Sequence, residues 1–124
     1  MNFDILFTMH TYTGTCHCGR VTFKVEMDLK EVIECNCSHC SIKGLLLTFV
    51  PANKFVLLTG EADLSEYRFN KKVIAHVFCK ICGTEPFGTG KNEAGAPTVA
   101  VNVRCLADVD LVQVKRVPFD GKNW

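Results

Sequence analysis

The sequence carries almost no net charge: 14 Lys and Arg stand against 13 Asp and Glu over 124 residues, a formal charge of +1. That balance gives no electrostatic hold on nucleic acid or on an anionic membrane, and neither is expected as a partner. Long apolar runs are missing too. Leu45-Leu46-Leu47 and Phe55-Val56-Leu57-Leu58 are among the longest, far short of the ~20 residues that cross a bilayer. The start, Met1-Asn2-Phe3-Asp4, has no basic n-region and argues against a secretory signal. No repeat, low-complexity tract or sustained 3.6-residue apolar stripe is present. A soluble, cytoplasmic protein is expected.

With 48% hydrophobic and 10% aromatic residues, the chain has the makings of one ordinary core. Residues 10–124 are expected to form a single domain and residues 1–9 a leader before it. Strand signals dominate. Val21, Phe23 and Val25 alternate with Thr22 and Lys24, and Val99, Val101, Val103 and Cys105 share one parity while Ala100, Asn102 and Arg104 take the other. Val112 and Val114 alternate with Gln113 and Lys115 in the same way. These patterns predict half-buried antiparallel strands, separated by turns at Pro51-Ala52-Asn53, Thr59-Gly60, residues 69–72 and residues 93–97. The one helical candidate, Ser38 to Leu47, contains Gly44 and predicts no more than a short helical turn. The fold class is all-β, sandwich-like.

Cysteine is the informative residue. In a reducing compartment eight cysteines are better ligands than disulfides. Seven fall in three clusters: Cys16-His17-Cys18-Gly19, Cys35-Asn36-Cys37-Ser38-His39-Cys40, and Cys79-Lys80-Ile81-Cys82-Gly83. Residues i and i+2 of an extended chain face one side, and a C-x-x-C turn closes two sulfurs onto one metal. Cys16, Cys18, Cys79 and Cys82 are assigned a closed structural zinc site. Cys35, Cys37 and Cys40 then supply three thiolates with a fourth position open, as catalytic zinc sites have. Two zinc ions per chain are expected. Spacing alone equally allows Cys35 and Cys37 to pair with Cys79 and Cys82. Seven thiolates around two zinc ions would turn the folded protein mildly acidic.

The other polar candidates have plainer readings. Cys105 shares its parity with three valines and is expected in the core. His17 and His39, between ligating cysteines, are expected to point away from the metal and toward solvent. His76, between Ile74 and Phe78 on its own face, reads as an interior or rim histidine. Thr84 can donate to a sulfur, although local backbone capping is the commoner role. Lys43, Lys71 and Lys72 can attract a carboxylate, although surface lysines seldom do anything so specific.

The three clusters, taken in order within Gly14-Thr15-Cys16-His17-Cys18-Gly19, Cys35 to Cys40 and Phe78-Cys79-Lys80-Ile81-Cys82-Gly83-Thr84, resemble the glutathione-dependent formaldehyde-activating enzyme family, also called the centromere protein V family. The likeness runs from about Thr13 to the C-terminus and includes Val50-Pro51-Ala52 and Tyr67-Arg68-Phe69. It implies a β-tent of coiled antiparallel sheets, with Cys16, Cys18, Cys79 and Cys82 on the structural zinc and Cys35, Cys37 and Cys40 on the catalytic one. It also implies a carbon-sulfur lyase reaction that joins glutathione and formaldehyde to S-(hydroxymethyl)glutathione. The alternative is a non-catalytic, zinc-stabilised thiol-binding or scaffold domain. No residue stands out in the sequence as a general base.

Overall fold

The computed structural model describes residues 10–69 and 74–121. The leader, residues 1–9, and Lys71 and Lys72 lie outside the described residues. Ten strands, one short α-helix and three 3-10 turns follow one another among those described. A three-stranded sheet contains β1 (His10–Thr15), β2 (Thr22–Met27) and β5 (Phe55–Thr59), in the order β1-β2-β5. The second sheet contains β3 (Glu31–Cys35), β4 (Leu47–Pro51), β6 (Leu64–Tyr67), β7 (Ala75–Cys79), β8 (Phe87–Lys91), β9 (Pro97–Asn102) and β10 (Lys115–Phe119). Its order is β10-β3-β4-β9-β8-β7-β6. Among the described residues no helix is long and apolar enough to cross a membrane.

The expected alternation builds the core. Phe23, Val25 and Met27 of β2 are buried while Lys24 and Glu26 are exposed, so one parity of the strand leaves water and the other keeps it. They pack with Val50, Ala75, Val77, Phe87, Val99 and Val101 of the larger sheet. The Phe23 ring stacks on Phe55 at 5.1 Å. Burying each such side chain removes enough apolar surface to contribute about 1.5–3 kcal/mol.

Three expectations need correction. Val112 and Val114 are in no strand: residues 111–113 form a turn, and Val112 is 89% exposed. The Asp110 carboxylate accepts from Val112 N–H at 3.0 Å, and this local bond takes the donor a ladder would have used. The run through Val103 and Cys105 also stops short, because Asn102 caps a 3-10 turn by accepting from Arg104 N–H at 3.1 Å. Asn102 is itself buried rather than on a polar face, its side-chain amide donating to the Glu85 carbonyl at 3.0 Å. Finally, β10 pairs with β3 in parallel, whereas the other strand pairs are antiparallel. β3 and β10 are separated by most of the sequence, which supplies the long connection a parallel pair requires.

The short helix, α1 (Ser38–Lys43), fits its expected limits. Cys37 is its N-cap, the sulfur accepting from Cys40 N–H at 3.3 Å, and Gly44 ends it in the left-handed region at φ 67°. A residue with a Cβ is strained there, so the glycine stops the helix after six residues and turns the chain into Leu45.

Candidate metal centres

The ends of β1 and β7, from different sheets, bring distant knuckles together. Cys16 and Cys18 follow β1, and Cys79 ends β7 with Cys82 in the turn beyond it. The four sulfurs lie within 4.8 Å of one another, with Cys16–Cys18 at 3.6 Å and Cys18–Cys79 at 3.7 Å. A tetrahedron of thiolates ~2.3 Å from its centre separates the sulfurs by about 3.8 Å, so the donor set fits a closed zinc site. Cys16 and Cys79 are buried. Val21 N–H donates to Cys16 Sγ at 3.4 Å, and Thr84 Oγ lies 3.4 Å from Cys82 Sγ. The Thr84 hydroxyl and backbone hold the Cys82 thiol down at about 5. Thr84 also accepts from His17 N–H at 3.4 Å, so it serves both the sulfur and the backbone.

The second group, Cys35, Cys37 and Cys40, comes from the end of β3 and the first turn of α1, with its sulfurs again within 4.8 Å. Cys35 and Cys37 therefore lie with Cys40 and apart from Cys79 and Cys82. Cys37 N–H donates to Cys35 Sγ at 3.4 Å. Burial, helped by the neighbouring Cys37 and Cys35 sulfurs, pushes the Cys40 thiol well up. Burial would raise Cys37 also, but the Cys40 N–H and adjacent thiols outweigh it and hold Cys37 down. Three crowded sulfurs that cannot all ionise are what a divalent cation would relieve, so this set fits zinc with one position left open. Cys105 packs in the main core, where burial pushes its thiol up to about 11.

The C-terminal strand closes over this group. Asn36 N–H donates to the Phe119 carbonyl at 3.1 Å, and the Asn36 side chain donates to Asp120 at 2.9 Å. Gly121 then lies so near that a Cβ on it would strike Cys35 Sγ.

A third cluster escaped the sequence reading. Glu85, between Thr84 and Pro86, is buried, its side chain only 4% exposed. His39 Nε2 stands 3.3 Å and Lys43 Nζ 3.5 Å from its Oε1, and His76 Nδ1 lies 3.4 Å from its Oε2. His39 does not face solvent as expected. Its ring stacks on Phe69 and Tyr67 and lies tilted against His76, and burial lowers its pKa against the raising effect of the Glu85 carboxylate. His17 is exposed and His76 is interior, as expected. Lys43 meets a carboxylate of the chain itself. The only trace of Glu85 in the sequence is an acid held between a cysteine knuckle and the apolar Pro86-Phe87.

Cys35, Cys37, Cys40, His76 and Glu85 all line one cavity of about 510 Å³, whose walls include Phe49, Ile74 and Phe119. One end thus offers soft donors and a carboxylate, while much of the wall is apolar.

The sequence matches the family model described as glutathione-dependent formaldehyde-activating enzyme over residues 11–118. The fold is similar to the crystal structure of a Rhodobacter sphaeroides protein, with a TM-score of 0.75 and 28% identity, covering 86% of this chain and 97% of that one.

Proposed function

The chain belongs to the glutathione-dependent formaldehyde-activating enzyme family, and we propose that it is a zinc-dependent carbon-sulfur lyase that condenses a small thiol with an aldehyde, glutathione with formaldehyde in the family's reaction, to give S-(hydroxymethyl)glutathione. The observation that carries this reading is the placing of three thiols, and only those three cysteines, on the wall of the 510 Å³ cavity. Cys16, Cys18, Cys79 and Cys82 would hold a structural zinc and Cys35, Cys37 and Cys40 a second one. When bound there, that zinc supplies an open position at which a thiol is held as thiolate at neutral pH.

The chain's own residues prepare the place. The N–H groups of Cys37 and Cys40 point at the sulfurs of Cys35 and Cys37 and fix their directions. Phe49, Ile74 and Phe119 make part of the cavity wall apolar. Confining thiol and aldehyde in one cavity adds rate by proximity. The free thiols suit a cytoplasmic setting, and residues 10–124 are read as one domain after a short leader.

The test is the rate of S-(hydroxymethyl)glutathione formation above the uncatalysed reaction, by exchange NMR, for the zinc-loaded protein and for Cys37→Ala. The wild type is expected to exceed the background and the variant to match it while keeping its fold. Equal activity in the two proteins overturns the reading.

A further inference from the structure

Nothing in the cysteine chemistry accounts for a carboxylate buried in the wall of the same cavity. Glu85 leaves water almost completely, and no hydrogen bond of acceptable geometry reaches its Oε1, although His39 and Lys43 stand close by. A buried carboxylate is costly to keep unless its charge is used or compensated. Compensation is present but incomplete: Lys43 from α1 provides one positive charge, and His39 from α1 and His76 from β7 provide imidazoles. The backbone is fixed as well. The Asn102 amide donates to the Glu85 carbonyl, and Thr84, directly before it, is tied to Cys82. A carboxylate is thus held in place beside three thiols, with an oxygen whose bonding is unsatisfied.

We propose that Glu85 is the proton acceptor and donor of the thiol-aldehyde condensation, with His76 as its positioning partner. This rests on the reading of the cavity as a thiol-aldehyde site. In the forward step the thiol S–H bond breaks and the proton passes to Glu85. A sulfur lone pair forms the C–S bond to the aldehyde carbon, the C=O π pair moves onto oxygen, and that oxygen takes the proton back from Glu85. Atoms and charge balance without any oxidant, reductant or third reactant. His76 Nδ1 lies 3.4 Å from Oε2 and holds that side of the carboxylate, while Oε1 faces His39 and Lys43.

The test counts protons. Glutathione is titrated into zinc-loaded, full-length protein by calorimetry at pH 7 in buffers of different ionisation enthalpy, which gives the protons released per thiol bound. Wild type is expected to release well under one, because Glu85 keeps the thiol proton, and Glu85→Gln, of the same shape, to release about one. A full proton released by wild type, or the same count from both proteins, overturns the proposal. Turnover by Glu85→Gln is expected to fall by about 10²- to 10⁴-fold with zinc content unchanged, and Glu85→Asp to recover part of it. Glutathione binding with a full proton released sinks only the role of Glu85. Absence of glutathione binding sinks both that role and the reading of the cavity, whereas retained protons without turnover sink the condensation alone.

Discussion

His39 Nε2 stands 3.3 Å from Glu85 Oε1, and the contact joins the two cysteine clusters. His39 directly precedes Cys40 of the three-thiol group, while Glu85 follows the Cys79–Cys82 knuckle of the four-thiol group by three residues. The turn at Cys82-Gly83-Thr84 in the four-thiol group thereby sets where Glu85 enters the cavity lined by Cys35, Cys37 and Cys40.

The two groups are expected to fail differently. Losing a sulfur from the four-thiol group, as in Cys16→Ala, removes a buried group that would tie β1 to β7 through the proposed structural zinc, and the free energy of binding a structural metal is folding free energy. Thermal unfolding followed by circular dichroism should lose its cooperative transition in that variant. Cys37→Ala should keep the transition and lose one zinc by elemental analysis. Equal effects of the two substitutions on unfolding would mean that both sites are structural.

Cys105 tests the boundary between core and ligand. Its thiol packs with buried valines in the main core, and burial raises it to about 11 from an ordinary 9.0. A raised folded value means the neutral thiol's contribution is complete below about pH 9 and lost as pH rises toward 11. Cys105→Ala should weaken folding at neutral pH by about 1–2 kcal/mol through the lost volume, retain two zinc ions, and unfold with a smaller alkaline dependence than wild type. Loss of zinc from this variant would instead make Cys105 a ligand.

How far the sequence could be read follows from what each signal encodes. Strand parity at Phe23, Val25 and Met27, the stop at Gly44, and the three cysteine clusters are local, and each was legible. The failures come where a short side chain bonds its own backbone, as Asp110 and Asn102 do, because alternation does not register that competition. Others come where a partner is distant. His39 turns inward because Tyr67, Phe69 and His76 arrive from β6, β7 and the chain between them. Glu85 combined both difficulties: a lone acid whose two histidines and lysine lie 9 to 46 residues away in the chain.

Lys43 offers a separable charge test. Its ammonium stands 3.5 Å from Glu85 Oε1 and 5.5 Å from the centre of the Phe78 ring, and it is about a third exposed. Lys43→Met keeps the apolar stem and removes only the charge, leaving Glu85 less compensated. The expected cost in chemical denaturation is on the order of 1 kcal/mol, moderated by solvent. Because no cysteine contact is removed, zinc content should be unchanged, and a loss of zinc would show that Lys43 acts on the thiols.

The C-terminal segment supplies the sharpest test of the open site. β10 lies in parallel register on β3, pairing Phe119 with Cys35, and Asn36 fastens the chain just beyond through Phe119 and Asp120. Gly121 then passes so close to Cys35 that a Cβ would occupy the place of its sulfur. A single methyl at this position must push either the segment or Cys35 aside, and an overpacked contact of this kind costs about 1–3 kcal/mol. Gly121 has no role in the main core or the four-thiol group, so the disturbance should stay local. Gly121→Ala is expected to bind one zinc firmly and the second at least tenfold more weakly, read by competition with a chromophoric chelator, while its cooperative thermal transition persists. Two zinc ions held as tightly as in wild type would mean that the segment can move away without disturbing Cys35, and that its closeness to the sulfur is incidental.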